Sequence, residues 1–403
     1  MCGIIGVCNI NMQYENGVRG MKVVIAMDSF KGSLSSLEAG EAVRRGVLKA
    51  MPDAEVWVRP LADGGEGTVE ALAAGMGGRL EQVEVTGPLG EKRSCCYGII
   101  EEANTAIIEM SAAAGLTLVP DEKRNPLHTT TYGVGEIIRD AIAKGCRHFI
   151  VGIGGSATND GGIGMLQALG YGMLDRDGKQ VSPGAKGLKD LAVITDDGVI
   201  PELKECRFRV ACDVTNPLCG ECGCSAVFGP QKGADAAIIT EMDRWLEAYA
   251  ELTCEKYEKA DASYPGTGAA GGMGFAFLAY TNAVLESGIR IVLDETKLEE
   301  YVKDAEIVVT GEGKLDGQTA FGKAPAGAAV IAKKYDKPVL AFAGVVTDDA
   351  AVCNEHGIDA FFPVLRGIQT LQEAMDAGNA KQNLTAAAEQ AFRLLAVTAK
   401  KNM

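Results

Sequence analysis

The chain is predicted to be α/β. A parallel-sheet domain of Rossmann or flavodoxin-like type is expected to carry an inserted second α/β domain with a mixed sheet, and the site is expected in the cleft between them. Three observations lead there. Short apolar runs alternate with helical periods along much of the chain, glycine clusters follow the apolar runs, and the alternation gives way in two stretches to strands that follow one another directly. The length of 403 residues suits two domains, and the 51 glycines suit many tight strand-to-helix turns.

The first unit of the alternation is "MKVVIAMD", from Met21 to Asp28, followed by "LSSLEAGEAVRRGVLKAM". In the latter Leu34, Leu37, Val43, Val47 and Leu48 share one broad helical face. The second is "AEVWVRPLADGGEGTVEALAAGM", a strand, a glycine-rich turn and a helix. "RHFIVGIGGSATNDGGIGMLQAL" is the third, "AEIVVTGEGKLDGQTAFGKAPAGAAVIAKKY" the fourth, and "KPVLAFAGVV" begins a fifth. All are expected on one parallel sheet with helices on both faces. Between them, "GRLEQVEVTGPLGEKRSCCYGIIEEANTAIIEMS" reads as an antiparallel meander turning at Gly87-Pro88 and Gly90. Residues 171–288 mix short strands with two long helical runs, "ADAAIITEMDRWLEAYAELTCEKYEKA" and "GGMGFAFLAYTNAVLESG", joined by a flexible turn. The expected division is therefore 21–83, 127–170 and 289–403 in the parallel-sheet domain, with 84–126 and 171–288 in the inserted one.

A net charge of −15 opposes nucleic acid and anionic membrane, so an anionic substrate has to be held by local positive features. The 12 cysteines are scattered, and no secretory pattern precedes them, which suits reduced thiols in the cytoplasm. No run approaches the roughly 18 to 20 apolar residues of a membrane helix. Cys212, Cys219, Cys222 and Cys224 have spacings that a zinc knuckle can use, but Asn216-Pro217 and Gly220 favour a packed turn.

In open parallel sheets, ligands bind beyond the carboxyl ends of the strands. Those ends carry "DSFKGS" (Asp28, Ser29, Lys31), "DGGEGT" (Asp63, Gly64, Gly65, Glu66, Gly67), "GIGGSATNDGG" (Gly154, Gly155, Ser156, Asn159, Asp160) and "TGEGKLDGQTAFGK" (Glu312, Asp316, Gln318, Lys323). Glycine lets backbone N–H groups approach phosphate oxygens, lysine adds a cation, and carboxylates hold magnesium or take a proton. A phosphate-handling site follows from four such loops together. "GQTAFGKA" matches the nucleotide P-loop except that Ala324 stands where a magnesium-binding hydroxyl belongs. "GIGGSA", with Asp175 downstream, fits a dinucleotide fingerprint and keeps an oxidoreductase as a rival class. A non-catalytic binder of a small acid is a third, needing the cleft but neither Lys31 nor the carboxylates.

Together "AMDSFKGSLSS", "PLADGGEGT", "GIGGSATNDGGIGML", "CDVTNPLCG", "AVFGPQKGA" and "TGEGKLDGQTAFGKAP" make the chain resemble the bacterial glycerate kinases of the glyoxylate and glucarate pathways, from Met21 to near Lys401. The resemblance implies ATP-dependent phosphorylation of D-glycerate, at the 2-hydroxyl with the 3-hydroxyl as the alternative, and a need for Mg2+. Carried over by motif, it places Asp28, Ser29 and Lys31, the segment from Asp63 to Thr68, Gly154 to Gly162, Asp213 and Asn216, and Glu312 to Lys323 in the signatures. Asp28, Lys31 and Asp63 are the expected catalytic residues, with Asp213 and Asp316 as the metal ligands. Arg59 or Lys232 is the expected partner of the glycerate carboxylate. The oligomeric state is left open.

The start departs from this pattern. "MCGIIGVCNI" resembles the N-terminal nucleophile of glutamine amidotransferases, yet only about 20 residues precede a strand committed to another fold, too few for the body such a cysteine needs. Residues 1–20 are expected to be a poorly ordered extension or the product of a start codon upstream of the true one at Met21.

Overall fold

The computed structural model describes residues 20–62 and 67–401. The extension up to residue 19 and the loop Asp63, Gly64, Gly65 and Glu66 lie outside the described residues, and with them the expectations placed there.

Two units result. One runs to Arg59 and resumes over Glu299–Phe321 and from Ala328 onward; the other spans Pro60–Leu298 and takes in Gly322–Gly327. The first unit is built on a five-stranded sheet in the order Ala360–Pro363, Val339–Val346, Ile307–Leu315, Lys22–Met27, Glu55–Val58. Every neighbouring pair is parallel. Val23 to Met27 are fully buried, as a central strand covered on both faces requires. The helix Ser36–Ala50 starts from a capping box in which the Ser35 side chain accepts from Glu38 N and the Glu38 carboxylate accepts from Ser35 N. It packs against the C-terminal helix Ala377–Lys401 so closely that a Cβ on Gly46 would lie 2.4 Å from Thr385 O. The edge strand Ala360–Pro363 was not anticipated, being four residues long and ending in proline.

The second unit has a mixed six-stranded sheet, in the order Ala283–Glu286, Arg207–Ala211, His148–Gly152, Thr105–Glu109, Lys92–Ile100, Arg79–Thr86. The first four strands are parallel, and the last two continue antiparallel, the meander with its turn at Gly87 and Gly90. Stacked Phe149 and Phe208 rings, 4.6 Å apart, join the two central parallel strands within a core that also holds Phe277 and Tyr249.

Three expectations are corrected here. Strand His148–Gly152, read as the third member of the parallel sheet, is hydrogen-bonded to Thr105–Glu109 and Arg207–Ala211, so residues 127–170 belong to the mixed-sheet unit. Residues 60–83 and 289–298 join it too, because the helices Thr68–Gly75 and Gly288–Glu295 pack on its strands. The second long helical run stops at Tyr280, and Ala283–Glu286 pairs with Arg207–Ala211 as a strand. An apolar, strand-then-glycine pattern is common to both sheets, and only long-range pairing decides between them.

Candidate functional site

The strand His148–Gly152 delivers the loop that starts at Ile153. This loop is pinned to the segment around Gly115 by Leu116 N donating to Gly155 O at 2.8 Å and Ala157 N donating to Ala114 O at 2.9 Å. The amides of Gly154, Gly155 and Ser156 enter no backbone hydrogen bond among the described residues. All three residues line a cavity of about 320 Å³, with Asp213, Gln231 and Lys232 also on its wall. Gly155 sits at φ +71°, a left-handed conformation that favours glycine. Gly154 has open space where a Cβ would be, so the backbone itself faces the void.

Lys232 arrives from the turn Pro230–Lys232 and is only 2 % exposed. Its Nζ donates to Ser156 Oγ at 2.9 Å and to Thr158 O at 2.6 Å. Burial lowers its pKa to about 8, against an upward pull from Cys224 and Asp160. A buried cation beside three successive unbonded amides has the donor chemistry of an oxyanion seat.

The rest of the loop holds that seat in place. Asp160 is fully buried, and its carboxylate accepts from Thr131 N and Thr131 Oγ1, both at 2.9 Å, and from Gly162 N at 3.1 Å. Burial pushes its pKa above the ordinary carboxylate range while those donors pull it back. Asn159, also fully buried, donates to Ser225 Oγ at 2.9 Å. Both are expected to bind cofactor; in the structure their side chains are hydrogen-bonded to neighbouring segments, and Asn159 Oδ1 is buried without a partner among the described residues. Ala270, Gly271 and Gly272, at φ +54°, +66° and +94°, form a left-handed stretch against the same loop. A Cβ on Gly271 would lie 2.1 Å from Thr158 O. The tripeptide "AGG" carries no motif and falls where the flexible turn meets the second helical run; its signal is the run of small residues at the start of an apolar helical period. Asp213 is exposed on the cavity wall, and its Oδ1 accepts from Gly288 N at 3.1 Å.

The first unit gathers a separate set. Asp28 N donates to Gly311 O at 2.8 Å, and a Cβ on Gly313 would lie 3.5 Å from Lys31 N, so the "DSFKG" loop and the strand bearing Glu312 are neighbours. Asp28 is buried and its Oδ1 accepts from Ser29 N at 2.6 Å; Ser29 is half-buried and Lys31 exposed. Glu312, 9 % exposed, lies within the strand and accepts from Thr319 Oγ1 at 2.6 Å. Asp316 caps the turn Gly317–Ala320, accepting from Gln318 N at 3.1 Å and pairing with Lys314 at 3.2 Å, while Gln318 is exposed. Arg59 stacks on the Tyr301 ring at 3.7 Å.

Gly67 and Lys323 fall in the second unit, as the left-handed N-cap of Thr68–Gly75 and beside the start of helix Ala324–Lys334. The first and fourth loops thus share one sheet and the third belongs to another, which corrects the expectation of a single sheet under all of them. The dinucleotide fingerprint is not built either, because it needs a helix opening directly after its glycines and here the helix begins at Ile163.

For phosphate, the unbonded amides and Lys232 fit. For Mg2+, which takes one or two carboxylates and completes its shell with water and phosphate oxygens, Asp213 on the cavity wall is a suitable donor. No group of three or more potential metal ligands occurs among the described residues. None of their helices is long and apolar enough to cross a membrane.

Comparison with known proteins agrees with this architecture. Residues 23–396 match the model of the glycerate kinase family. The Escherichia coli K12 protein named glycerate 2-kinase is 51 % identical over 354 residues, 88 % of this chain and 93 % of the relative. A Haemophilus influenzae protein named glycerate kinase is 48 % identical over 376 residues, covering 93 % of this chain and 99 % of its own. A crystal structure from Salmonella typhimurium LT2, provisionally described as glycerate kinase 2, superposes with a TM-score of 0.88 at 48 % identity, over 94 % of this chain and all of the other. By sequence along nearly its whole length and by fold, this chain belongs to the glycerate kinase family and is a kinase.

Proposed function

We propose that the protein transfers the γ-phosphoryl group of ATP to the 2-hydroxyl of D-glycerate, using Mg2+, in the cytoplasm. The observation that carries this reading is the oxyanion seat of Gly154, Gly155 and Ser156 with Lys232 buried beneath it. The name of the Escherichia coli relative favours the 2-position.

In the transfer, the bond from γ-phosphorus to its bridging oxygen breaks, a bond from the glycerate hydroxyl oxygen to phosphorus forms, and the hydroxyl proton passes to a carboxylate. Such chemistry asks a protein mainly for position and charge neutralisation. Lys31 and the amides of the third loop are proposed to hold phosphate oxygens. Asp28 is proposed to accept the proton or orient the hydroxyl, with Asp63 as the other candidate. Asp213 is proposed to hold Mg2+, which when bound supplies charge neutralisation on the phosphate oxygens; Asp316, committed to a helical cap, becomes a supporting residue. Glu312, Gln318 and Lys323 are proposed to complete the nucleotide side. Small-angle scattering with and without both ligands tests for the compaction expected on binding.

Incubation with ATP, Mg2+ and D-glycerate, followed by phosphorus NMR, is the direct test. A 2-phosphoglycerate signal is expected; 3-phosphoglycerate would move the acceptor to the other hydroxyl, and no phosphorylated product would overturn the reading.

A further inference from the structure

Ser156 is 7 % exposed and lines the cavity, and its Oγ accepts a hydrogen bond from Lys232 Nζ. An ammonium has only donors, so an oxygen that accepts from it keeps its own proton for another partner. Lys232 thereby occupies one lone pair of the Ser156 hydroxyl and turns its proton away from the ammonium, which leaves that proton to donate at the cavity that the Gly154 and Gly155 backbone also lines. We infer that Lys232 is a positioning residue that turns Ser156 into the side-chain donor of this seat, and that the seat takes an oxyanion, either the carboxylate of the three-carbon acid or a phosphate of the nucleotide.

The inference rests on the kinase reading only for the identity of that anion. The chemistry of the seat is independent of it. Thr158 O takes a second Lys232 proton, which orients the ammonium and leaves its hydrogen bond to Ser156 little freedom. Leu116, Ile153, Ala211 and Phe228 give part of the wall an apolar lining, while Gly154 and Gly155 stay open to solvent. The ionisable groups nearby are Asp160 and Cys224, whose charges act on the ammonium, and Asp213 across the cavity. The lowered pKa of Lys232 adds a signature: as the pH rises through about 8 the ammonium loses its proton, Ser156 loses its fixed orientation, and the seat weakens.

The test is steady-state kinetics on the full chain, wild type against Ser156→Ala, Ser156→Thr and Lys232→Met. Glycerate is varied at saturating ATP and ATP at saturating glycerate, across the pH range on either side of the lysine's lowered pKa. Ser156→Ala is expected to raise one KM about tenfold while kcat changes less than about threefold, the effect of one hydrogen bond to a charged group. Ser156→Thr, which keeps the hydroxyl, is expected to restore it. The same KM should climb above about pH 8 in the wild type and be high and pH-independent in Lys232→Met. A rise confined to glycerate identifies the carboxylate, and one confined to ATP the phosphate.

Unchanged values of both KM in Ser156→Ala would overturn the inference while the kinase reading stands. If the wild type shows no turnover, calorimetric titration with D-glycerate and with tripolyphosphate decides instead. Weaker binding of either by Ser156→Ala supports the seat although the kinase reading has failed, and equal or absent binding of both overturns it. Should Lys232→Met not fold, the two Ser156 variants still give the answer.

Discussion

Two lysines serve glycine-rich strand ends in this molecule, and their settings are opposite. Lys31 lies exposed on the loop that directly follows its own strand, whereas Lys232 is 2 % exposed and reaches Ser156 from 76 residues away. An exposed lysine stays partly hydrated, whereas a buried one is held at a desolvation cost that lowers its pKa. The loop that needs a cation can therefore be recognised from local pattern, but the cation can come from anywhere the fold allows. The two should also fail differently.

The sharpest separation is kinetic. Lys31→Ala is expected to reduce kcat by about a hundredfold or more, as loss of a cation at a transferring phosphoryl group does, with no shift in melting temperature. Near-normal turnover would remove Lys31 from the chemistry and leave the buried lysine as the site's working cation. A comparable loss of stability in Lys31→Ala would break the comparison from the other side, by showing that the exposed lysine is a structural element.

The loop around Lys232 can be broken by shape alone. Gly271→Ala places a Cβ 2.1 Å from Thr158 O in a left-handed backbone, whereas Gly154→Ala meets nothing within 4 Å. Thermal or urea unfolding should show a loss of about 2–4 kcal/mol for the first and less than about 0.5 kcal/mol for the second. Activity should fall in both, because the added methyl of Gly154→Ala occupies space where an anion approaches. Normal kinetics in a stable Gly154→Ala would mean that the backbone there is not part of the seat.

These contrasts mark how far the sequence could be read. Strands such as Lys22–Met27 and Ile307–Leu315, and the turn at Gly87 to Gly90, were legible because their signals are local: an apolar run, a glycine, a proline. The sheet to which His148–Gly152 belongs was not, since any buried parallel strand satisfies the same pattern. The motif singles out Gly154, Gly155 and Ser156, and Lys232 stands out as a cation in "GPQKGA". Its burial, and the hydrogen bonds that Asn159 and Asp160 make to neighbouring segments, depend on which segments pack over the loop. Nothing in "TNDGG" distinguishes a polar side chain that faces a ligand from one that caps a neighbouring turn.

The pH dependence of stability sharpens the same point. In the unfolded chain Lys232 titrates at its ordinary value of 10.5, and in the folded protein at about 8. Between those values the unfolded state binds more protons, so this residue makes stability rise with pH across that window and contributes its full penalty below it. Denaturant melts of wild type and Lys232→Met at stepped pH should differ by that slope, present in the first and absent in the second.

The smallest effect concerns the helix behind the Lys31 loop. Ser35 closes the segment that begins at Asp28, and its side chain and Glu38 cap each other's backbone. Lys381 donates to Glu38 at 2.7 Å, the main cause of that carboxylate's lowered pKa, with the Ser35 backbone next. Ser35→Ala should cost about 1 kcal/mol of stability, the usual worth of an N-cap, with kcat within about twofold of wild type. If kcat instead drops along with stability, the cap is holding the Lys31 loop in its working shape. The exposed lysine would then depend on preorganisation as much as the buried one, through its backbone where Lys232 relies on burial.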